Sequence, residues 1–383
     1  MTSRFAAVVL LGLPGLPGVL GLLGVLSGLL ACTPQRSAPP GAGSTSTGPS
    51  SNGDASADGA IGAAAAADAS ATAFDLHDAA AAPPAPPAPP TFDEILTILF
   101  AEKTSSAPIL AACPASLPSE ARIRCLYDER FKGDAKAAGI AHELFVKWQI
   151  IAGVEVAHTM NGGYRGMIRI EPAVPVAADR KHLEWVAGAF RDFDTFFAEL
   201  EKARVASGTT KTSAKPYRFQ PITMRFMRSV APARTPAAYA HDWTVAYNFV
   251  GTLNISADAV RETMFHEIFH LNDAAHGSWS PGALGAIFDV VAKKCGTSIP
   301  CLTPYTPNET IVRGGTYYSF QPGNGVMEYA AELALRYYRE QRAALRDLPK
   351  VKAFKCGPPE NGRAWTLMKD EFFAGIDATP PCP

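Results

Sequence analysis

Apolar positions divide the chain into three regimes. From Phe5 to Leu30 nearly every residue is apolar, Gly or Pro. From Thr33 to about Pro90 the sequence is built of Ala, Gly, Ser, Thr and Pro without periodicity, closing on Ala82-Pro83-Pro84-Ala85-Pro86-Pro87-Ala88-Pro89-Pro90. Such a composition cannot bury enough apolar surface to offset the entropy of ordering, and its proline end is extended and stiff. Periodic patterns begin at Thr91, which suits an N-cap. Asp93 and Glu94 suit the first helical turn, and Ile95, Leu96, Ile98 and Leu99 form an apolar face. Further helices are predicted over Pro118–Phe131, Ala135–Ile151 and Arg180–Val205. The last carries Leu183, Val186, Phe190, Phe193, Phe197 and Leu200 at the spacing of a core face.

Two strand-like stretches follow, Tyr217–Val230, rich in aromatic and β-branched residues, and Thr244–Ser256, which alternates in part. Helices are then predicted from Ala257 to Asn272, over Pro281–Lys294 and over Gly325–Arg346, with a long loop between the last two and a cysteine-bearing tail. This order predicts an α+β protein, mainly helical, with a small mixed sheet packed on the helix that begins at Ala257. A division near residue 210 gives a helical domain or subdomain, 91–210, and a second part, 211–383.

Composition narrows the function. The 383 residues carry a formal net charge of −1 and no basic run, which gives no electrostatic case for nucleic acid. Of seven cysteines, Cys32 closes the first apolar run and stands apart. The other six fall into local pairs, Cys113 with Cys125, Cys295 with Cys301 and Cys356 with Cys382, as expected of disulfides in an oxidising compartment.

Arg4, the apolar run and its small-residue end read as a secretory signal over residues 1–32, although the run is also about long enough to span a bilayer as an uncleaved anchor. Leu29-Leu30-Ala31-Cys32 resembles the bacterial lipobox, which implies that Cys32 becomes the lipidated first residue of the mature protein. Thr33 stands where an aspartate would signal inner-membrane retention; by resemblance to Gram-negative lipoproteins this favours the outer membrane. Residues 33–90 then form a tether between the lipid and the folded part.

The chemistry centres on His266-Glu267-Ile268-Phe269-His270. Ser256 suits the N-cap of its helix, and Val260, Met264, Phe265, Ile268 and Phe269 supply apolar contacts. Histidines at i and i+4 project from one face, so two ring nitrogens reach a single tetrahedral Zn²⁺. Glu267 beside them is placed to take a proton from water rather than to ligate. A catalytic zinc needs a third protein ligand and one open position. His276, six residues after His270, has the metzincin spacing, but Asp273 replaces the glycine at which that chain turns. Glu328 is the other candidate. It lies four residues before Glu332 on one helical face, so one carboxylate can ligate while the next accepts the outer N–H of a ligand histidine.

His-Glu-x-x-His-x-x-Asp followed by Glu-aromatic-x-Ala-Glu resembles the catalytic domain of the gluzincin peptidases of the anthrax lethal factor type. The matching residues are His266, Glu267, His270 and Asp273, then Glu328, Tyr329, Ala331 and Glu332. The resemblance covers two helices, well under a fifth of the chain, and the separation of His270 from Glu328 is longer here. It implies His266, His270 and Glu328 as zinc ligands and Glu267 as general base, with Glu332 and Asp273 supporting the ligands from behind. A tyrosine before the ligand glutamate steadies the oxyanion in that family; Tyr317 and Tyr318 are offered here, neither at the matching spacing, and Tyr318 is preferred.

The expectation is a zinc-dependent endopeptidase whose partners are a peptide or protein substrate and, through the lipid, a membrane. The strand-like stretch at Leu253–Ser256 is expected to pair with extended substrate. No segment signals assembly beyond a monomer. Two readings stay open beside it: a peptidase using His276, and a non-catalytic envelope lipoprotein with a binding or structural role.

Overall fold

The structure, a computed structural model, describes residues 88–161, 167–209, 216–230, 236–312, 314–349 and 352–383. The expected signal peptide, Cys32 and all but the last residues of the tether lie outside these. No described helix is long and apolar enough to cross a membrane.

The folded part starts where the pattern places it. Thr91 caps α1 (Phe92–Leu99) in a reciprocal box: its hydroxyl accepts from the Glu94 N–H at 3.3 Å, and the Glu94 carboxylate accepts from the Thr91 N–H at 2.6 Å. After α2 (Ala107–Ala112) come α3 (Ser119–Arg130) and α4 (Ala135–Trp148), close to the predicted spans. The α4 helix stops short of the predicted Ile151 because Gln149 turns into the left-handed region at φ 53°. Ile151 instead opens β1 (Ile151–Val154), which is buried throughout. Here Gly153 is required, because a Cβ at this position would lie 2.2 Å from the carbonyl oxygen of Ile98 on α1.

The strands β2 (His158–Asn161), β3 (Met167–Pro172), β4 (Thr223–Val230), β5 (Ala238–His241) and β6 (Thr244–Asn248) join β1 in a mixed sheet of order β2-β3-β4-β6-β5. One edge of β4 is shared: its first half pairs parallel with β1 and its second half antiparallel with β3. Its other edge pairs parallel with β6, and β5 closes the sheet antiparallel to β6. The boundary expected near residue 210 therefore falls inside one sheet, between α5 (Arg180–Ala206) and β4, and the described residues belong to one compact unit.

Three helices bracket the site. They are α6 (Ala257–Ala275), α7 (Trp279–Cys295) and α9 (Gly325–Leu345), with the short α8 (Ile299–Leu302) and the two-residue strands β7 (Ile311–Val312) and β8 (Thr316–Tyr317) between α7 and α9. The tail folds as α10 (Pro359–Phe372). The architecture is thus α+β, mainly helical, with a small mixed sheet. Cys113–Cys125, Cys295–Cys301 and Cys356–Cys382 are disulfide-bonded as their spacing predicts.

One expectation is corrected. Leu253–Ser256 is not a strand, because β6 ends at Asn248 and the chain after it is knotted into a loop by side-chain amides. Asn254 donates to the carbonyls of Ala237 and Asn248, each at 2.8 Å, and Asn248 donates to the Pro236 carbonyl at 2.9 Å.

Aromatic side chains join α5, α6 and α9. Phe265 of α6 stacks on Tyr338 of α9 with ring centroids 4.4 Å apart, and Phe193 of α5 meets Phe265 at 5.5 Å and Tyr338 at 5.7 Å. Above this cluster Asp192 accepts hydrogen bonds from the Tyr338 hydroxyl and from Arg342 and Arg346. Burial alone would raise the Asp192 pKa, but these three donors outweigh it and hold the carboxyl below its usual range. A depressed folded pKa gives a stabilisation that is complete above the unfolded value of about 3.9 and is lost as pH falls through the folded value. Asp192→Asn should therefore cost about 2 kcal/mol at pH 7. The gap between variant and parent should close below about pH 4, as followed by urea melts at both pH values.

Candidate metal centre

The α6 helix is capped by Ser256, whose hydroxyl accepts from the Ala259 N–H at 3.2 Å. Its buried face carries Val260, Met264, Phe265, Ile268 and Phe269 into the core. This burial fixes the helix roll and turns His266 and His270 together toward α9. There Glu328 stands in the first turn, and Glu332 one turn later on the same face.

Three ligand atoms converge. His266 Nε2 lies 3.2 Å from His270 Nε2 and 3.1 Å from Glu328 Oε2, and His270 Nε2 lies 3.5 Å from the same oxygen. Ligands bound tetrahedrally to zinc at about 2.05 Å are separated from one another by about 3.3 Å. The triangle therefore has the size of a tetrahedral ligand set with one position left over. Two imidazoles and a carboxylate are also the donor set that suits zinc. Among the described residues this is the group able to hold a metal ion.

The electrostatics favour positive charge at this spot. Burial alone would lower the His266 pKa, but Glu328 and Glu332 overcome it and hold the ring well above its ordinary value. Burial likewise pushes Glu328 up, and the two histidines override it to bring the carboxyl well below the carboxylate range. Glu267 is raised, chiefly by burial, with His266 and His270 offsetting part of the shift.

Glu332 stands behind His266. Its Oε1 lies 3.1 Å from His266 Nδ1, so the ring donates outward there and turns Nε2 toward the triangle. Tyr318 is brought to the site: its ring lies 6.0 Å from the His266 ring, near enough to Glu328 and Glu267 for their charges to act on its phenol. Desolvation first, and the Glu328 and Glu267 charges next, raise the phenol pKa, so it remains a donor. Tyr317 turns away, its hydroxyl pairing with Thr303 at 3.0 Å.

Two candidates from the sequence stand elsewhere. The α6 helix runs on through Asp273 to Ala275 instead of turning there, which carries His276 to the far end. His276 Nδ1 pairs with Glu371 of α10 at 2.7 Å and its ring packs on Phe372, away from the triangle. Asp273 supports no ligand histidine through its hydrogen bonds, because both its oxygens accept from Ser280, one from the N–H and one from the hydroxyl, each at 2.7 Å. It is the acceptor that starts α7.

One residue of the site escaped sequence reading. Asn308, in the loop between α8 and β7, donates to Glu332 Oε2 at 2.8 Å and to the Glu332 carbonyl at 2.9 Å. Nothing in Thr306-Pro307-Asn308 points to a glutamate 24 residues away.

No model of a known protein family, no curated protein and no solved structure matches this chain. The site is read from its own geometry.

Asp273→Ala should cost about 2 kcal/mol by leaving buried donors of Ser280 unpaired. Thermal melts measure the loss, and a variant as stable as the parent would contradict the α7-starting role.

Proposed function

We propose that this chain is a zinc-dependent peptidase, held at a bacterial envelope through a lipid on Cys32. The observation that carries the reading is the triangle of His266 Nε2, His270 Nε2 and Glu328 Oε2 at 3.1 to 3.5 Å, with Glu267 on the same helix. The donor atoms fit zinc in type, number and separation.

A zinc ion held there supplies Lewis acidity toward a peptide carbonyl and toward water. Glu267 is the general base: it accepts the proton of the attacking water and passes it to the amine that leaves. Its buried setting keeps its pKa above the ordinary carboxyl value, which suits a group that must both take and return a proton. Tyr318 donates its hydroxyl proton in a hydrogen bond to the oxyanion that develops on the carbonyl. Glu332 keeps His266 in the tautomer that ligates.

Glu267→Gln should retain one zinc per chain and lose peptide hydrolysis by about 10³-fold or more. Tyr318→Phe should also keep the metal and lower kcat by about 10²-fold. A peptide-library cleavage assay on residues 88–383, with and without chelator, reads both. Undiminished hydrolysis by Glu267→Gln would sink the assignment, and zinc binding without any cleavage would favour the non-catalytic envelope lipoprotein.

The ligand set is tested separately by metal content. His266→Ala, His270→Ala and Glu328→Ala should each lose stoichiometric zinc, whereas His276→Ala should keep it. The reverse outcome for Glu328 and His276 would restore the other ligand set.

A further inference from the structure

We propose that Asn308 is a positioning residue for the metal centre, acting through Glu332 on His266. The inference rests on the zinc-site reading above and adds a residue outside both helices that carry the site.

Glu332 is 6% exposed, and Asn308, at 5%, is buried against it. A carboxylate in such surroundings needs donors on both oxygens or it loses its charge or its rotamer. His266 supplies the donor to Oε1 and Asn308 the donor to Oε2. The second amide hydrogen of Asn308 goes to the Glu332 backbone carbonyl. One NH₂ group thus fixes both ends of a single residue.

The orientation of the amide is itself determined. Asn308 Oδ1 lies 2.9 Å from Arg339 Nη1, and a guanidinium can only donate. The oxygen must therefore face Arg339 and the nitrogen must face Glu332. Arg339 is tied in turn to Glu262 of α6 at 3.3 Å. Two further bonds seat the loop. The Arg336 guanidinium donates to the Pro307 carbonyl at 3.2 Å, and the Thr306 hydroxyl donates to the Asn308 carbonyl at 2.6 Å. The chain from Arg339 through Asn308 and Glu332 to His266 decides where the His266 lone pair points.

Asn308→Asp tests this with almost no change in shape. The new carboxylate still accepts from Arg339 but faces Glu332 with oxygen in place of N–H. Zinc affinity, measured by competition with a chromogenic chelator, should fall about tenfold or more. The visible spectrum of the cobalt(II)-substituted protein should shift with it. In a Glu332→Ala background the same substitution should change zinc affinity less than twofold, since the link it acts through is gone.

Equal zinc affinity in Asn308→Asp and parent, even with a lowered melting temperature, would overturn the proposal and leave Asn308 a loop anchor. An undiminished tenfold effect in the Glu332→Ala background would overturn it as well. A parent protein that binds no zinc would instead remove the metal-site reading on which it stands.

Discussion

The register of α6 against α9 is the constraint on which the rest depends. The three atoms of the candidate metal centre come from both helices, and sliding α9 by one residue would shift Glu328 by about 1.5 Å and rotate it by about 100°. The stacking of Phe265 on Tyr338 sets that register from the apolar side. Asp192 sets it from the polar side by holding Tyr338 and Arg342 of α9, and Arg346 at its C-cap, against α5. The sheet takes part indirectly: the Tyr217 hydroxyl, on the segment leading to β4, donates to the Phe265 carbonyl at 3.1 Å. Fold stability and site geometry are therefore the same interactions seen from two sides.

Five ionisable side chains, His266, Glu267, His270, Glu328 and Glu332, crowd a mostly buried volume. Taken singly, each would cost several kcal/mol to desolvate, and a buried pair repays this only with good geometry and full hydrogen bonding. Here the opposed signs compensate one another. The carboxylates raise His266, and the histidines depress Glu328. Glu267 is compensated only in part by His266 and His270 and is left with a raised pKa. Uneven compensation thus moves two neighbouring carboxyls in opposite directions, Glu328 down and Glu267 up.

Much of this was legible in the sequence because it depends on local rules. The i, i+4 spacing puts His266 beside His270 and Glu328 beside Glu332 whatever the tertiary fold, and capping marks α1 and α6. The disulfides followed from short spacing. What could not be read depends on partners distant in the chain. Strands β1, β2, β3 and β5 span four to six residues each and owe their form to pairing, β1 and β3 with β4, β2 with β3 and β5 with β6, more than to their own pattern. The choice between His276 and Glu328 turned on whether α6 stops at Asp273. Asp273 stays helical, and its carboxylate is occupied by Ser280, a contact seven residues downstream. Asn308 was invisible for the same reason at longer range.

The stretch between α7 and α9 separates His270 from Glu328 and reads in the sequence as spacer. In the structure it is a working part. Cys295–Cys301 ties its start to the end of α7, and Asn324 closes its end by donating to the Tyr318 carbonyl at 3.0 Å. Between these ties, the N–H of Tyr318 donates to the Thr310 carbonyl at 2.8 Å, and Asn308 grips Glu332. The loop thus reaches the candidate metal centre in two places, at Glu332 behind His266 through Asn308 and beside the His266 ring through Tyr318. A length that looks surplus between two helices is what allows one loop to do both, since a direct connection from α7 to α9 would supply neither residue.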